Sequence, residues 1–161
     1  MGIAKDDFPG KFLLPPGFRI TGLVLALAGI LTGFLRFSRG IKPAFLDVKV
    51  FAVYSVYFDT KYFSIIGNNI SEEVCGLLLL SGLFFMTFAR ERKELPGLWF
   101  VRIRAFLLAF YVNTVFLVVS FIFVYGLGFV FILSFNLFSF MLFYNILFAF
   151  YRYKHRNSFP D

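Results

Sequence analysis

The sequence is short of ionisable side chains. Only 16% of its 161 residues are Asp, Glu, Lys or Arg, against about 25% in soluble proteins. The only histidine is His155 and the only cysteine is Cys75. A haem with two histidine ligands or a zinc site needs more ligands than that, and an internal disulfide needs a second cysteine. We therefore expect no cofactor and no metal.

Acidic residues are missing from the centres of the long apolar runs, which argues against an acidic proton or sodium relay. No Ser/His/Asp or Cys/His set falls at one depth, and no phosphate-binding loop is present. We therefore expect a protein that is not an enzyme. The excess of 16 Lys and Arg over nine Asp and Glu lies beside apolar runs. There it sets orientation and contacts the lipid bilayer, so we expect no direct nucleic-acid binding.

Apolar residues dominate what remains. They make up 60% of the chain, with 27 phenylalanines, against about 45–50% in soluble proteins. A soluble globule of this size has no room to bury so much apolar surface. Spanning the bilayer takes roughly 20 apolar helical residues. We predict an all-α membrane protein, a single domain over 1–161 that forms a four-transmembrane-helix bundle. Its helices are predicted at about 18–37, 70–89, 103–125 and 127–151.

The connection between the first two runs, residues 38–69, is too long for a bare loop. It is rich in Val, Tyr and Phe, which favour strands, and it also carries charges such as Asp47 and Lys49. We predict a short β-like insertion of two strands with a turn near Phe58 to Lys61. The alternative is an amphipathic helix lying in the membrane interface. Because an isolated hairpin is marginally stable, the insertion should rest on the membrane, the helices or a partner.

Orientation follows from the distribution of Lys and Arg. With four spans, both termini and the connection after the second span lie on one side of the membrane. That side collects 11 Lys and Arg, and the other side collects five. Positive residues concentrate on the cytoplasmic side. We therefore predict cytoplasmic termini and an extracytoplasmic insertion.

Small residues form a stripe on the first helix, at Gly22, Ala26, Gly29 and Gly33. Without large side chains, two helix backbones can approach closely. The stripe therefore predicts either a contact with another subunit or internal packing against a later helix. A second stripe on the second helix contains Cys75, Gly82 and Ala89, and the two stripes are able to satisfy each other.

Polar residues recur in the last two runs. A polar side chain in hydrocarbon must find a partner. Asn113 lies about one helical turn from the depth of Asn136, which predicts hydrogen bonds between the two helices. A polar ligand site is the alternative. The intramembrane polar residues are Asn113, Thr114, Ser120, Ser134, Asn136, Ser139 and Asn145.

A basic segment follows the second run. It contains Arg90, Arg92, Lys93, Arg102 and Arg104, and it predicts contact with lipid headgroups or docking of a cytoplasmic partner. At the start of the second run, Asn69 with Glu72 resembles an N-cap and its acidic partner.

Several short motifs occur in order: Asn69-Ile-Ser-Glu-Glu73, the run Gly76 to Glu94, Tyr111-Val-Asn113, Tyr125-Gly-Leu127 and Asn136-Leu-Phe138. Together they resemble an uncharacterised family of small four-span inner-membrane proteins from Bacteroidetes-type bacteria, often encoded beside helix-turn-helix regulators. The likeness covers about residues 65–150. The chain departs from it at Leu95-Pro-Gly97 and at Arg104. The resemblance implies a bacterial inner-membrane location and a regulatory neighbourhood. The family has no known activity that could be transferred to this chain.

These observations leave three functional hypotheses. The first is a non-catalytic accessory or structural subunit that packs against other membrane protein subunits in a larger inner-membrane complex. The second is a membrane sensor or anchor whose basic segment holds a cytoplasmic regulator. The third is a carrier of a small molecule or lipid that uses the region around Asn113 and Asn136.

Overall fold

A computed structural model of the protein describes residues 13–56, 60–92 and 97–158. Four helices, each long and apolar enough to cross a membrane, and one antiparallel two-stranded sheet confirm the predicted elements. The sheet lies between the first two helices, and a 3-10 helix at Ala44–Leu46 precedes it. The elements are α1 (Phe18–Arg39), β1 (Asp47–Val56), β2 (Thr60–Asn69), α2 (Ser71–Phe88), α3 (Leu98–Phe123) and α4 (Leu127–Ser158).

Two helix boundaries differ clearly from the prediction. Helix α3 begins at Leu98 instead of Ile103, so its first turns include Arg102 and Arg104. The prediction began the span after Arg102, whereas the structure places Arg102 inside the helix and gives it a backbone carbonyl acceptor. Helix α4 continues to Ser158 instead of ending near residue 151. An α-helix forms its own backbone hydrogen bonds, so it can continue beyond the residue at which the apolar run ends.

The helices pack in the order α1–α2–α4–α3. Helix α1 runs along α2, α3 runs along α4, and a smaller α2–α4 contact joins the two pairs. Across the described residues, α1 and α3 make no comparable contact with each other, so they are the two outer helices. The core of the second pair contains Leu98, Ala105, Ala109, Tyr144 and Phe148.

The insertion is a β-hairpin, so the alternative of an amphipathic interfacial helix is wrong. The register pairs Val50 with Ile66 and Tyr54 with Tyr62. Valine, isoleucine and tyrosine fit the pleated backbone, which explains why this segment is extended. The turn predicted near Phe58 to Lys61 lies partly outside the described residues, and Thr60 and Lys61 belong to β2.

The predicted N-cap of α2 is wrong by one residue. Ile70 occupies the cap position, and Asn69 is the last residue of β2. The Asn69 Oδ1 still accepts a hydrogen bond from the Ser71 backbone N–H, at 3.3 Å. Glu72 lies in the first turn of α2, as predicted, where a negative charge faces the positive end of the helix dipole.

Candidate functional site

One end of the molecule brings all four helices together with the start of the described chain. Leu14 forms an isolated parallel β-bridge with Ala89. Its N–H donates to the Phe88 carbonyl, and its carbonyl accepts from the Arg90 N–H, both at 2.9 Å. The entry to α1 is thereby tied to the exit of α2. We call this end the terminal end.

Glu91 is the centre of a charged cluster at the terminal end. One of its carboxylate oxygens pairs with Arg19 on α1, and the other pairs with Arg152 on α4. The Glu91 side chain is only 9% exposed, whereas the arginine side chains are 27% and 39% exposed. A single carboxylate therefore joins the first helix to the last through the segment that follows α2.

Arg102 on α3 completes this cluster, which we call the terminal cluster (Arg19, Glu91, Arg102 and Arg152). Its Nη2 donates to the Ala89 carbonyl at 3.0 Å. Its guanidinium carbon lies 4.6 Å from the centre of the Phe148 ring, close enough for a cation–π interaction. Arginine stays protonated in proteins, so the three guanidinium groups of the cluster supply fixed positive charge.

The predicted basic segment does not form one surface. Arg102 is buried against α4, whereas Arg104 is exposed. Side chains that are two residues apart in an α-helix point in directions that differ by about 200°, because successive residues turn by about 100°. Arg90 joins the β-bridge through its backbone, Arg92 is exposed, and Lys93 lies outside the described residues. The segment divides between the interior of the terminal end and its surface.

The polar residues of the last two helices meet between α3 and α4. The Asn113 Oδ1 accepts hydrogen bonds from the Asn136 Nδ2 at 3.1 Å and from the Ser139 Oγ at 2.5 Å. Ser139 is fully buried. We call these three residues the polar triad. The Asn113 Oδ1, the Asn136 Nδ2 and the Ser139 Oγ thereby pair with one another, as hydrogen-bonding groups in hydrocarbon must.

Asn145 has a different partner. It faces α2, where its Nδ2 donates to the Thr87 Oγ1 at 2.8 Å, and it also donates to the Met141 carbonyl in its own helix. Because the α2–α4 contact joins the two helix pairs, this hydrogen bond ties one pair to the other. Thr114, Ser120 and Ser134 instead donate to carbonyls four residues earlier in their own helices.

The small-residue stripe of α1 faces α2. A Cβ at Gly22 would come within 2.7 Å of the Gly82 carbonyl oxygen, and one at Gly29 would come equally near the Leu79 backbone nitrogen. A Cβ at Gly33 would approach the Cys75 Sγ within 2.8 Å. Ala26 is buried in the same contact. This face of α1 is therefore occupied by α2 and is not open to another subunit.

A polar cleft of about 610 Å³ lies at the opposite end, at the base of the hairpin. Its charged groups are largely paired inside the protein. Arg36 donates to Glu72 at 2.6 Å, and the Asn69 amide donates to the Asp47 carboxylate at 2.7 Å. The lining residues are Arg36, Lys42, Asp47, Gly67, Asn68, Asn69, Glu72 and Glu73.

The sequence alone indicates no site role for Arg19, Glu91 and Arg152 of the terminal cluster, or for Thr87, the partner of Asn145. In the sequence, Arg19 and Arg152 count only as positive charges near the ends of the spans. Glu91 follows a basic residue in a charged run, which resembles a solvated surface. The sequence does contain a signal for the role of Glu91, because this charged run has fewer acidic than basic residues. Each carboxylate in the run is therefore a candidate partner for several arginines.

Across the residues that the structure describes, no group of three or more His, Cys, Asp or Glu side chains is arranged to hold a metal ion. Comparison of the chain with protein-family models, curated protein sequences and solved structures finds no match.

Proposed function

We propose that this multi-pass membrane protein is a non-catalytic accessory subunit of a larger assembly in the bacterial inner membrane. The observation that supports the proposal best is the hairpin. Its base is tied down by hydrogen bonds such as that from the Ile70 N–H to the Leu46 carbonyl. Within the described residues, the two strands contact mainly each other, and their contacts with the four helices are slight and lie at the base of the hairpin, as between Asn68 and Glu73.

Both faces of the hairpin expose large apolar side chains. Phe51 and Ile65 are cross-strand partners on one face, and Tyr54 and Tyr62 are partners on the other. All four side chains are more than 60% exposed. A two-stranded hairpin is marginally stable in water, and exposed apolar patches mark interaction sites. An apolar surface of a partner subunit would cover the hairpin and stabilise it.

The other two hypotheses have less support. A regulator-binding patch would need its basic residues on one surface, and Arg102 and Arg104 point in different directions. A carrier site would need polar groups free to bind a ligand, and the Asn113 Oδ1, the Asn136 Nδ2 and the Ser139 hydroxyl already pair with one another. We keep the sensor or anchor role, which is favoured by the regulatory neighbourhood that the resemblance implies, as the alternative to the subunit role.

Purification of the tagged protein from its native membrane in mild detergent tests the proposal. We expect membrane protein subunits to co-purify in fixed stoichiometry. Recovery of the protein alone, or with only a soluble DNA-binding protein, would contradict the subunit role and favour the alternative.

Two matched double variants connect the result to the hairpin. F51T/I65T alters one face, and Y54T/Y62T alters the other, while threonine keeps the strand propensity. Buried aromatic anchors dominate interface energies, so at least one variant should lower partner recovery by about tenfold or more. Unchanged recovery in both variants would remove the hairpin as the contact.

We also propose that both termini are cytoplasmic. The terminal end carries most of the described arginines, as the cytoplasmic side does in bacterial membrane proteins. In a C75A background, which has no cysteine, single cysteines at Tyr153 and Phe45 report the two sides. A membrane-impermeant thiol reagent applied to intact cells should label the cysteine at 45 and not the one at 153. The reverse pattern would invert the orientation.

A further inference from the structure

The terminal cluster carries more positive charge than its own partners neutralise. Three guanidinium groups and one carboxylate leave a net charge of two positives. Among the described residues, Glu91 supplies the only carboxylate that forms an ion pair with an arginine of this cluster. Like charges packed together repel one another, and the repulsion is strongest where water is excluded.

Arg102 is the most deeply buried arginine of the terminal cluster. It is 6% exposed. Its described contacts are the Ala89 carbonyl, the Phe148 ring and the Tyr144 hydroxyl, none of which carries a full negative charge. Its Nη1 is buried and has no hydrogen-bond acceptor among the described residues. A buried cation is costly unless an anion pairs with it.

The cluster is accessible from outside and lies where the candidate spans begin and end, which is where lipid headgroups are expected. Arg19 is at the first turn of α1, and Arg152 is near the end of the candidate span in α4. Both side chains are partly exposed, so an anion can reach them without unfolding the helices. Trp99 and Tyr153 are exposed at the same end, as is typical of the aromatic belt at a membrane interface.

We propose that the terminal cluster binds a phosphate group. Guanidinium groups bind phosphate through paired, charge-assisted hydrogen bonds, and basic pockets between membrane helices bind anionic headgroups. The phosphate of an anionic phospholipid and free inorganic phosphate share this chemistry. The inference does not depend on the subunit role, because it uses the opposite end of the molecule from the hairpin.

Native mass spectrometry of the detergent-purified protein tests the proposal. The probes are phosphatidylglycerol, phosphatidylcholine and inorganic phosphate, each added separately. A lipid source predicts retained adducts of phosphatidylglycerol over phosphatidylcholine, and competition by inorganic phosphate only at high concentration. A free-phosphate source predicts phosphate adducts and no lipid preference. Equal retention of the two lipids without phosphate binding would overturn the proposal.

The variants R19Q and R152Q locate the site on the partly exposed arginines. Each removes charge-assisted hydrogen bonds, so each should weaken phosphatidylglycerol or phosphate binding by about tenfold. R152K should recover part of the loss, because it restores the charge without the planar fork. R36Q is the matched control, since Arg36 pairs with Glu72 at the other end.

A monodisperse elution profile and an unchanged helical circular dichroism spectrum establish that each variant is folded. Binding that is unaffected by R19Q and R152Q would overturn the proposal. So would an equal loss in R36Q, because it would show a general effect of charge rather than a site.

Discussion

The backbone of Gly82 on α2 lies so close to α1 that a Cβ at position 82 would come within 2.8 Å of the Ala26 Cα. No packed Cβ tolerates such a distance to a backbone atom, so the two helices depend on the absence of a side chain at this point. The contact explains why the small residues of both helices lie in register, and it makes Gly82 the position where substitution should matter most.

We predict that G82A lowers the free energy of unfolding by about 1–3 kcal/mol, because the helices must separate to admit one methyl group. Chemical unfolding in mixed detergent micelles measures the change. G76A is the matched control, since a Cβ there meets nothing within 4 Å. It should be neutral or stabilising by up to about 1 kcal/mol. Equal destabilisation by both substitutions would contradict the close contact.

The approach of Gly33 to Cys75 predicts a compensating pair. In the wild type, G33A should cost about 1–3 kcal/mol, because the new methyl group meets the Cys75 Sγ. C75A removes that sulfur atom, which otherwise contacts the Gly29 carbonyl at 3.2 Å. In the C75A background, the cost of G33A should fall below about 0.5 kcal/mol. Additive effects of the two substitutions in a double-mutant cycle would rule out the contact.

Glu91 should contribute more to stability than Glu72, although each pairs with arginine. E91Q leaves Arg19 and Arg152 without their carboxylate in a partly buried setting, which should cost roughly 3 kcal/mol. Glu72 is 53% exposed, so E72Q should cost less than about 1 kcal/mol. The thermal unfolding midpoints of the two variants in the same detergent compare these effects. Similar shifts would show that Glu91 does not join the helices.

Asn113 and Asn136 should show coupling across α3 and α4. We expect N113L to cost about 1 kcal/mol, because the Asn136 and Ser139 donors lose their shared acceptor. The double variant N113L/N136L should cost less than the sum of its single variants. T114V is the control, because the Thr114 hydroxyl bonds only within its own helix, and it should change little. Strict additivity would contradict the hydrogen bond between the helices.

The prediction for the polar residues came close to the structure because depth in a helical hairpin depends only on residue count from the turn. That count places Asn113 near Asn136. It does not place Asn145, which is further from the turn and meets Thr87 on α2. Such a partner depends on the arrangement of nonadjacent helices.

The positions of the four helices and the two strands followed from the sequence alone. The length of an apolar run, strand propensity and residue size are local properties, and none of them depends on distant residues. The small stripes of α1 and α2 were equally readable, because helical spacing places such residues on one face.

Only the tertiary structure decided which helices pair and where each charge lies. The α1–α2–α4–α3 order depends on the fit between whole helix surfaces. Glu91 pairs with Arg19 and Arg152, which lie 72 and 61 residues away along the chain. It does so because folding brings the start of α1 and the end of α4 next to the end of α2. Arg102 faces inward and Arg104 faces outward because the orientation of α3 against α4 determines which helical face is covered. Packing between distant segments sets these relations, and no local pattern contains them.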